Sequence, residues 1–553
     1  MRGRWRLIVV VALLVVSIVV GWLLRPRPPL PPLEVSLWYW KQPFEIPDAE
    51  RSALRSMGIR SLYVRAGTFV QRGEGVALTL PQVWKGTSPD LDITLVFNMG
   101  YDLVRPFQSL SNETLASGIV ERVERERARG RGAGIRVVGV QLDFDCPTKR
   151  LSKYADLLGR LRVLREAGRC KLSITALPTW FNSGFNSSDA AMVMRQVDFT
   201  VPQFYEPGMG MKRDTLVPIS RLSMLRRGLK QAGATGLPFY AGIPAYGHAM
   251  LYDEHGDLDS LYHDLTARDA VQLFAFRTTA AYGIDSKGRP ATSDGKNYIG
   301  EDVIDLEAVR AASNGQGLGY HLVYELPTPE LIAQHLAEVR RDRPANCRGV
   351  ILFRYPEADS AMTVPLEGIA TVLTGKPARP EIEVRLKPTR SKETLSLIDS
   401  GDKADSTGID LAITVTNKGT ANTFLAPDTV VIAVCLDKPG FETDAVDTIE
   451  QGRDGIASYF VADFERLWNE TGKLKADVQT ERLNEILSSY RCNPTRANTV
   501  LVSLPCIAVG ETIRAATLHL PSKHPQRVRA FWRVRSPGGY ETSNGAVPWM
   551  ALE

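Results

Sequence analysis

Val-Gly-Val-Gln-Leu-Asp-Phe-Asp-Cys-Pro, at positions 138–147, decides how this chain is read. An apolar β-type run ends in two aspartates and is closed by a proline. Side chains two apart on a strand point to one side, so Asp143 and Asp145 are predicted to share a face at the strand's C-terminal end. Two carboxylates that close do not both ionise cheaply. One is pushed toward the protonated state that a general acid needs. The plainer alternative is that one aspartate caps the following helix or holds a loop, and a bare D-x-D does not choose between them.

Seven further runs of the same texture surround it, at 35–40, 59–65, 93–98, 172–176, 199–203, 239–244 and 349–354. Amphipathic helical stretches such as 112–129 and 154–167 fall between most of them. Short β-type runs alternating with helices describe a parallel α/β fold, and eight such units predict a (βα)8 TIM-type barrel over 34–375. A doubly wound open sheet is the alternative, but no Gly-rich phosphate turn follows the first run. The longest gap, about 245–348, reads as a subdomain inserted after the seventh strand. From 376 to 553 the texture changes to alternating polar and apolar residues bounded by Gly, Asn and Ser, which predicts a mainly-β, sandwich-like C-terminal domain interrupted by one helical stretch near 461–489.

The chain of 553 residues exceeds the length of a usual single core, in keeping with two domains. Its 67 Lys+Arg against 62 Asp+Glu leave a net charge of +5, scattered rather than striped, which argues against nucleic acid as a partner. The first 33 residues stand apart. Arg2, Arg4 and Arg6 precede an uncharged run over 7–24, and a Pro-rich spacer follows. Such a run is near the lower limit for crossing a hydrocarbon core, and no A-x-A-like cleavage site follows it. A single-pass inner-membrane anchor with the bulk of the chain outside the cytoplasm is the expectation. Of the 6 cysteines, Cys435, Cys492 and Cys506 could supply one bridge in such a compartment, with no pairing chosen by the sequence.

Here the motifs resemble a family. In the family-18 chitinase-like glycoside hydrolases the fourth barrel strand carries D-G-x-D-x-D-x-E. Residues 138–145 resemble it in register, with Gly139 on the glycine, Asp143 on the last aspartate and Asp145 on the catalytic acid. Val138 and Gln141 replace two aspartates, and the acid is Asp in place of Glu. Asp198-Phe-Thr-Val-Pro-Gln-Phe-Tyr-Glu206 resembles the family's sixth strand, and Gly242-Ile-Pro-Ala-Tyr-Gly247 its seventh. The overall layout also looks like an uncharacterised bacterial family of membrane-anchored barrels.

The resemblance implies a glycan substrate containing N-acetylhexosamine. Asp145 would protonate the leaving oxygen, Asp143 would stabilise the charge opposite, and Gln203, Tyr205 and Glu206 would hold the sugar. No cofactor is implied. Trp38, Tyr39 and Trp40 end the first strand, and Trp180 with Phe181 follows the fifth, positions from which rings can form stacking floors for sugars. Arg65, Asn98, Tyr246 and Arg354 lie near strand ends, either as polar groups of the cleft or as ordinary loop residues. The cluster Asp253, His255, Asp257, Asp259 and His263 reads as a polar turn rather than a metal site, its spacing matching neither a calcium loop nor a two-histidine zinc helix. Two other readings stay open. One is an inactive glycan-binding or scaffold barrel. The other is a two-carboxylate hydrolase, in which Glu206 or Glu325 would partner the aspartates.

Overall fold

The computed structural model describes residues 30–552 except 86–87, 167–169, 182–187, 206–210, 214–218, 263–274, 279–282, 285–289, 292–302, 311–318, 326–327, 358–359, 361, 392–407, 424–428, 438–448, 452–456, 462–497, 505, 522–526 and 537–538. The predicted anchor, the helical stretch near 461–489, Glu206, His263 and Cys492 therefore lie outside the described residues. Among the described residues no helix is long and apolar enough to cross a membrane.

Eight parallel strands close into a barrel. They are β1 (Glu34–Tyr39), β2 (Ser61–Arg72), β3 (Ser88–Met99), β4 (Ile135–Asp143), β5 (Lys171–Ala176), β6 (Phe199–Pro202), β7 (Phe239–Pro244) and β8 (Cys347–Phe353). Each pairs with the next, and β8 pairs with β1, so the sheet has no free edge within the ring. A short antiparallel strand, Gly75–Thr79, extends β2 beyond the barrel.

Alternation sorts the side chains of each strand. Leu37, Leu62, Val64, Leu95, Leu142, Ile174 and Ala241 point outward into a core shared with the surrounding helices, among them Asn112–Gly132, Leu151–Arg160 and Pro329–Asp342. Trp38, Tyr63, Val96, Phe199, Val201, Tyr240 and Ile351 point inward and fill the barrel. Two glycines make room for this filling. A Cβ on Gly139 would stand 2.7 Å from Thr94 Oγ1, and one on Gly242 would stand 3.0 Å from Pro202 O and 3.4 Å from Trp38 Cη2. Both glycines sit in the motifs quoted above, so their first role is steric.

The segment inserted after β7 carries a five-stranded antiparallel sheet in the order Leu258–Tyr262, His248–Tyr252, His321–Glu325, Val303–Arg310, Ala275–Thr278. The helix Pro329–Asp342, which falls inside the predicted insertion, packs Ile332, Leu336 and Val339 into the barrel's outer core. Apolar spacing alone does not say which neighbour a helix packs against. The C-terminal part forms a four-stranded and a five-stranded sheet, antiparallel throughout, whose strands Ile382–Ser391, Gly408–Asn417, Val430–Leu436, Thr499–Leu504, Thr512–Pro521 and Arg527–Ser536 share one apolar core. Cys435 and Cys506 are both buried.

Candidate functional site at the mouth of the barrel

The alternation that fills the barrel carries on to its C-terminal mouth. There the last inward positions are Trp40, Arg65, Asn98, Asp143, Thr175, Gln203 and Phe353. Asp143 is the final residue of β4 and aligns with Asn98 on β3. Asn98 Nδ2 donates to Asp143 Oδ2 at 2.5 Å, and Thr175 Oγ1, from β5, donates to Asp143 Oδ1 at 2.7 Å. Both carboxylate oxygens thus accept from neighbouring strands, which fixes the carboxyl plane across the mouth.

The strand stops at Asp143. Cys146 N donates to Phe144 O at 2.7 Å, closing a three-residue turn with Asp145 at its centre. Phe144 and Cys146 are buried on the helix side, whereas Asp145 is exposed. The two aspartates are therefore not a strand pair in one layer. Asp143 is clamped in the mouth, and Asp145 stands on the turn above it.

Beneath Asp143 lies a wholly buried link that charge-free sequence reading did not foresee. Gln141, at one of the positions where the motif departs from the family, accepts from Trp38 Nε1 at 2.7 Å and donates to Ser173 Oγ at 3.4 Å. An uncharged amide suits that site, since one acceptor and one donor are both used without burying a charge.

The aromatic expectations divide. Trp38 and Trp40 point inward; Trp38 is 1% exposed and Trp40 only half-buried. Tyr39 points outward, packing edge-on against Phe44 at 4.9 Å. Trp180 and Phe181 are corrected: the 3-10 turn Pro178–Phe181 swings both rings into the outer core, where Trp180 Nε1 donates to Cys146 O at 2.9 Å. They make no floor for a sugar. Phe353, missed in the sequence, is the hub of the mouth. It lies 5.8 Å from Trp38, 5.1 Å from Trp40 and 4.9 Å from Tyr246, all edge-on, and stacks on Tyr205 at 6.0 Å. Its signal was available, because Ile351 and Phe353 alternate inward on β8.

Tyr205 and Tyr246 are both buried and meet edge-on at 6.0 Å. Gln203 pairs with Gly242 just past the end of β6 and is half-buried. Arg354 is buried beside Glu357, 3.0 Å away. Lys41, also unforeseen, lies over the Tyr355 ring at 5.1 Å, and burial pulls its ammonium below the usual value. Glu325 does not join the aspartates as a partner carboxylate: it is buried in the inserted sheet, accepting from Ile219 N at 2.9 Å with His248 Nε2 2.9 Å away. Asp253 Oδ1 accepts from His255 N at 3.0 Å and from Asp257 N at 2.8 Å, closing the turn between two strands of that sheet. Among the described residues no group of three or more potential metal ligands is gathered.

Fold and mouth together define a closed, eight-stranded (βα)8 barrel with carboxylates at its C-terminal end. Residues 105–265 match the model of a family described as a domain of unknown function, DUF3142. No curated protein matches the chain. Among solved structures, it is similar to a chitinase from Chromobacterium violaceum, at 11% identity over 62% of this chain and 98% of that one, with a TM-score of 0.39. It is similar also to the spore cortex-lytic enzyme SleL of Bacillus megaterium, at 14% identity over 62% and 74% with a TM-score of 0.38. A third is a family 18 N-acetylglucosaminidase from Paenibacillus barengoltzii, at 13% over 62% and 100% with a TM-score of 0.36.

Proposed function

We propose that the mouth of the barrel binds a glycan and hydrolyses it. The observation that carries this reading is the clamped Asp143, held at both oxygens by Asn98 and Thr175, with Asp145 exposed on the turn directly after it. Trp40 and Phe353, across the ring of strands from it, supply an aromatic wall at the same mouth, and Gln203 a side-chain amide, the mixture of ring faces and oriented polar groups that sugars require.

The motif resemblance supplies the chemistry. The Asp145 carboxyl gives its proton to the glycosidic oxygen as the C1–O bond breaks. The carbonyl oxygen of the substrate's own acetamido group bonds to C1, while Asp143 accepts a hydrogen bond from the acetamido N–H. Water then attacks C1, breaks that bond and returns a proton to Asp145. This is the substrate-assisted exception to the two-carboxylate scheme.

A second reading, a glycan-binding barrel without turnover, is favoured by two particular features. Asp145 has one methylene fewer than the glutamate at its motif position, and displacements near 1 Å cost about a hundredfold in rate. Gln141 is locked to Trp38, so no second carboxylate lies behind Asp143 to share its charge. The experiment is hydrolysis of N-acetylhexosamine oligomers and polymers by the chain from Glu34 onward, beside Asp143→Asn and Asp145→Asn. Turnover abolished in both variants supports the hydrolase; glycan binding without turnover in any of the three moves the assignment to a binding protein.

The same proposal sets the barrel outside the cytoplasm on an N-terminal anchor. Its support is the uncharged run over 7–24 behind Arg2, Arg4 and Arg6. Protease shaving of intact spheroplasts tests it: the barrel should be degraded, and a protected barrel would refute the orientation.

A further inference from the structure

We infer that Arg65 makes the cleft selective for glycans carrying a carboxylate on a sugar next to the one held at Asp143. This inference rests on the glycan reading above.

Arg65 is the last inward residue before a bulge in β2. Its neighbours Leu62, Val64 and Ala66 belong to the outer core, and Tyr63, on its own face, fills the barrel. Gln82, 2% exposed, donates Nε2 to Arg65 O at 3.0 Å and to Lys41 O at 3.0 Å, which pins this backbone. The guanidinium is half-buried, and burial pulls it below its usual value. Among the described residues its single side-chain bond is Nη2 to Thr68 Oγ1 at 3.1 Å. A guanidinium has five N–H donors, so most of its fork is unused.

The other cations of the mouth are matched by acids. Arg354 has Glu357 at 3.0 Å, and Lys41 feels Glu50 and Glu357. Among the described residues no carboxylate faces Arg65. A partly desolvated charge without a counter-ion is costly, and a rigid, forked cation at a cleft matches a planar carboxylate in two parallel bonds. The second independent sign is Asn98 Oδ1, on the strand between Arg65 and Asp143, a buried acceptor with no hydrogen-bond partner among the described residues. A hydroxyl or amide N–H of the same bound sugar would satisfy it. The charge balance favours a singly charged carboxylate over a phosphate of nearly two charges, because Asp143 and Asp145 stand at the same mouth. With β3 between them, β2 and β4 lie roughly 10 Å apart at the usual strand spacing, so the carboxylate belongs to a neighbouring sugar unit.

Two kinds of sugar bear such a group: a uronic acid, with the carboxyl on the ring, and a lactyl ether, with it on a short arm. Binding would be measured by calorimetry on the full chain with C6-oxidised chito-oligosaccharides and with glycan strands of alternating N-acetylglucosamine and N-acetylmuramic acid. Each would be compared with its carboxyl-reduced counterpart, for the wild type, Arg65→Gln and Arg65→Lys. The expected result is a preference of roughly 10- to 100-fold for at least one acidic ligand, the range for hydrogen bonds to a charged group. Arg65→Gln should erase that preference, bringing affinity for the acidic glycan down to that for its reduced counterpart, and Arg65→Lys should restore part of it. Which acidic ligand is preferred tells ring carboxyl from lactyl arm. Equal binding of acidic and reduced glycans, or a preference that survives Arg65→Gln, overturns the inference and leaves the glycan reading standing. Absence of binding to every glycan overturns both.

Discussion

Trp38 on the first strand and Gln141 on the fourth, 103 residues apart in the chain, meet inside the barrel, the indole Nε1 donating to Gln141 Oε1 at 2.7 Å. The pair forms the deck on which the mouth is built. Trp38 supports Phe353 from below at 5.8 Å, and Gln141 precedes Asp143 by one inward step. Replacing the glutamine with leucine leaves a buried indole N–H and the Ser173 hydroxyl with fewer partners. Gln141→Leu should lower the stability of the barrel by about 1–3 kcal/mol, read by urea unfolding followed through tryptophan fluorescence. An unchanged midpoint would mean the link contributes nothing net.

On the proposed hydrolase reading, Asn98 acts through Asp143, to which its side chain donates at 2.5 Å. Asn98→Ala removes one of the two hydrogen bonds that orient the carboxylate, each worth about 1.5–3 kcal/mol to a charged group. Turnover, or glycan affinity if the barrel only binds, should fall roughly 10- to 100-fold, with unfolding little changed. Asp143→Asn should fall further. A weaker effect for Asp143→Asn than for Asn98→Ala would contradict the assigned order of roles.

Tyr154 carries a hydroxyl that is fully buried with no hydrogen-bond partner among the described residues, and burial raises its ionisation well above the normal range. Its ring contacts Phe144 at 4.9 Å, directly under the turn that bears Asp145. Tyr154→Phe should keep that packing and remove the orphaned donor, leaving stability unchanged or raised by about 1 kcal/mol. A loss beyond 1 kcal/mol would mean that the hydroxyl has a partner in solution.

His335 is buried on the helix Pro329–Asp342, its Nε2 2.7 Å from Ser220 Oγ and its Nδ1 2.7 Å from Leu331 O. Nδ1 donates to that carbonyl, and the Ser220 hydroxyl beside Nε2 also lies 3.2 Å from Phe204 O. Burial holds its pKa below the ordinary 6.5. The unfolded chain therefore binds the extra proton first. The contribution is complete above pH 6.5 and is lost as the pH falls through and below that value. Melting curves between pH 7 and pH 5 should show this slope in the wild type and a shallower one in His335→Gln. Equal slopes would assign the pH dependence elsewhere.

Sequence patterning located all eight barrel strands, because a parallel strand buried on both faces reads as a short apolar run between helices. The inserted sheet was legible as a long gap, but its end was not, since the apolar face of 329–342 fits an insertion as well as a barrel. The aspartates were legible from their motif. Their separation into a clamped Asp143 and an exposed turn residue was not, because a three-residue turn leaves no composition signal. Trp180 and Phe181 misled for a related reason: one 3-10 turn reverses which way a ring points, and strand alternation no longer applies past the strand's end. Arg65 was visible as a residue near a strand end, but its lack of a counter-ion among the described residues is a fact about neighbours.

What the linear order of residues determined by itself was the alternation: eight apolar runs, the helices between them, and a D-x-D at the end of the fourth. These follow from local periodicity and from the cost of leaving backbone groups unpaired. Only the closed barrel decided that Asn98, Asp143 and Thr175 from three successive strands share two hydrogen bonds, that Trp38 finds Gln141, and that Arg65 faces no acid among the described residues. Such pairings depend on strand register and curvature, which bring together residues dozens of positions apart whose identities carry no mark of one another.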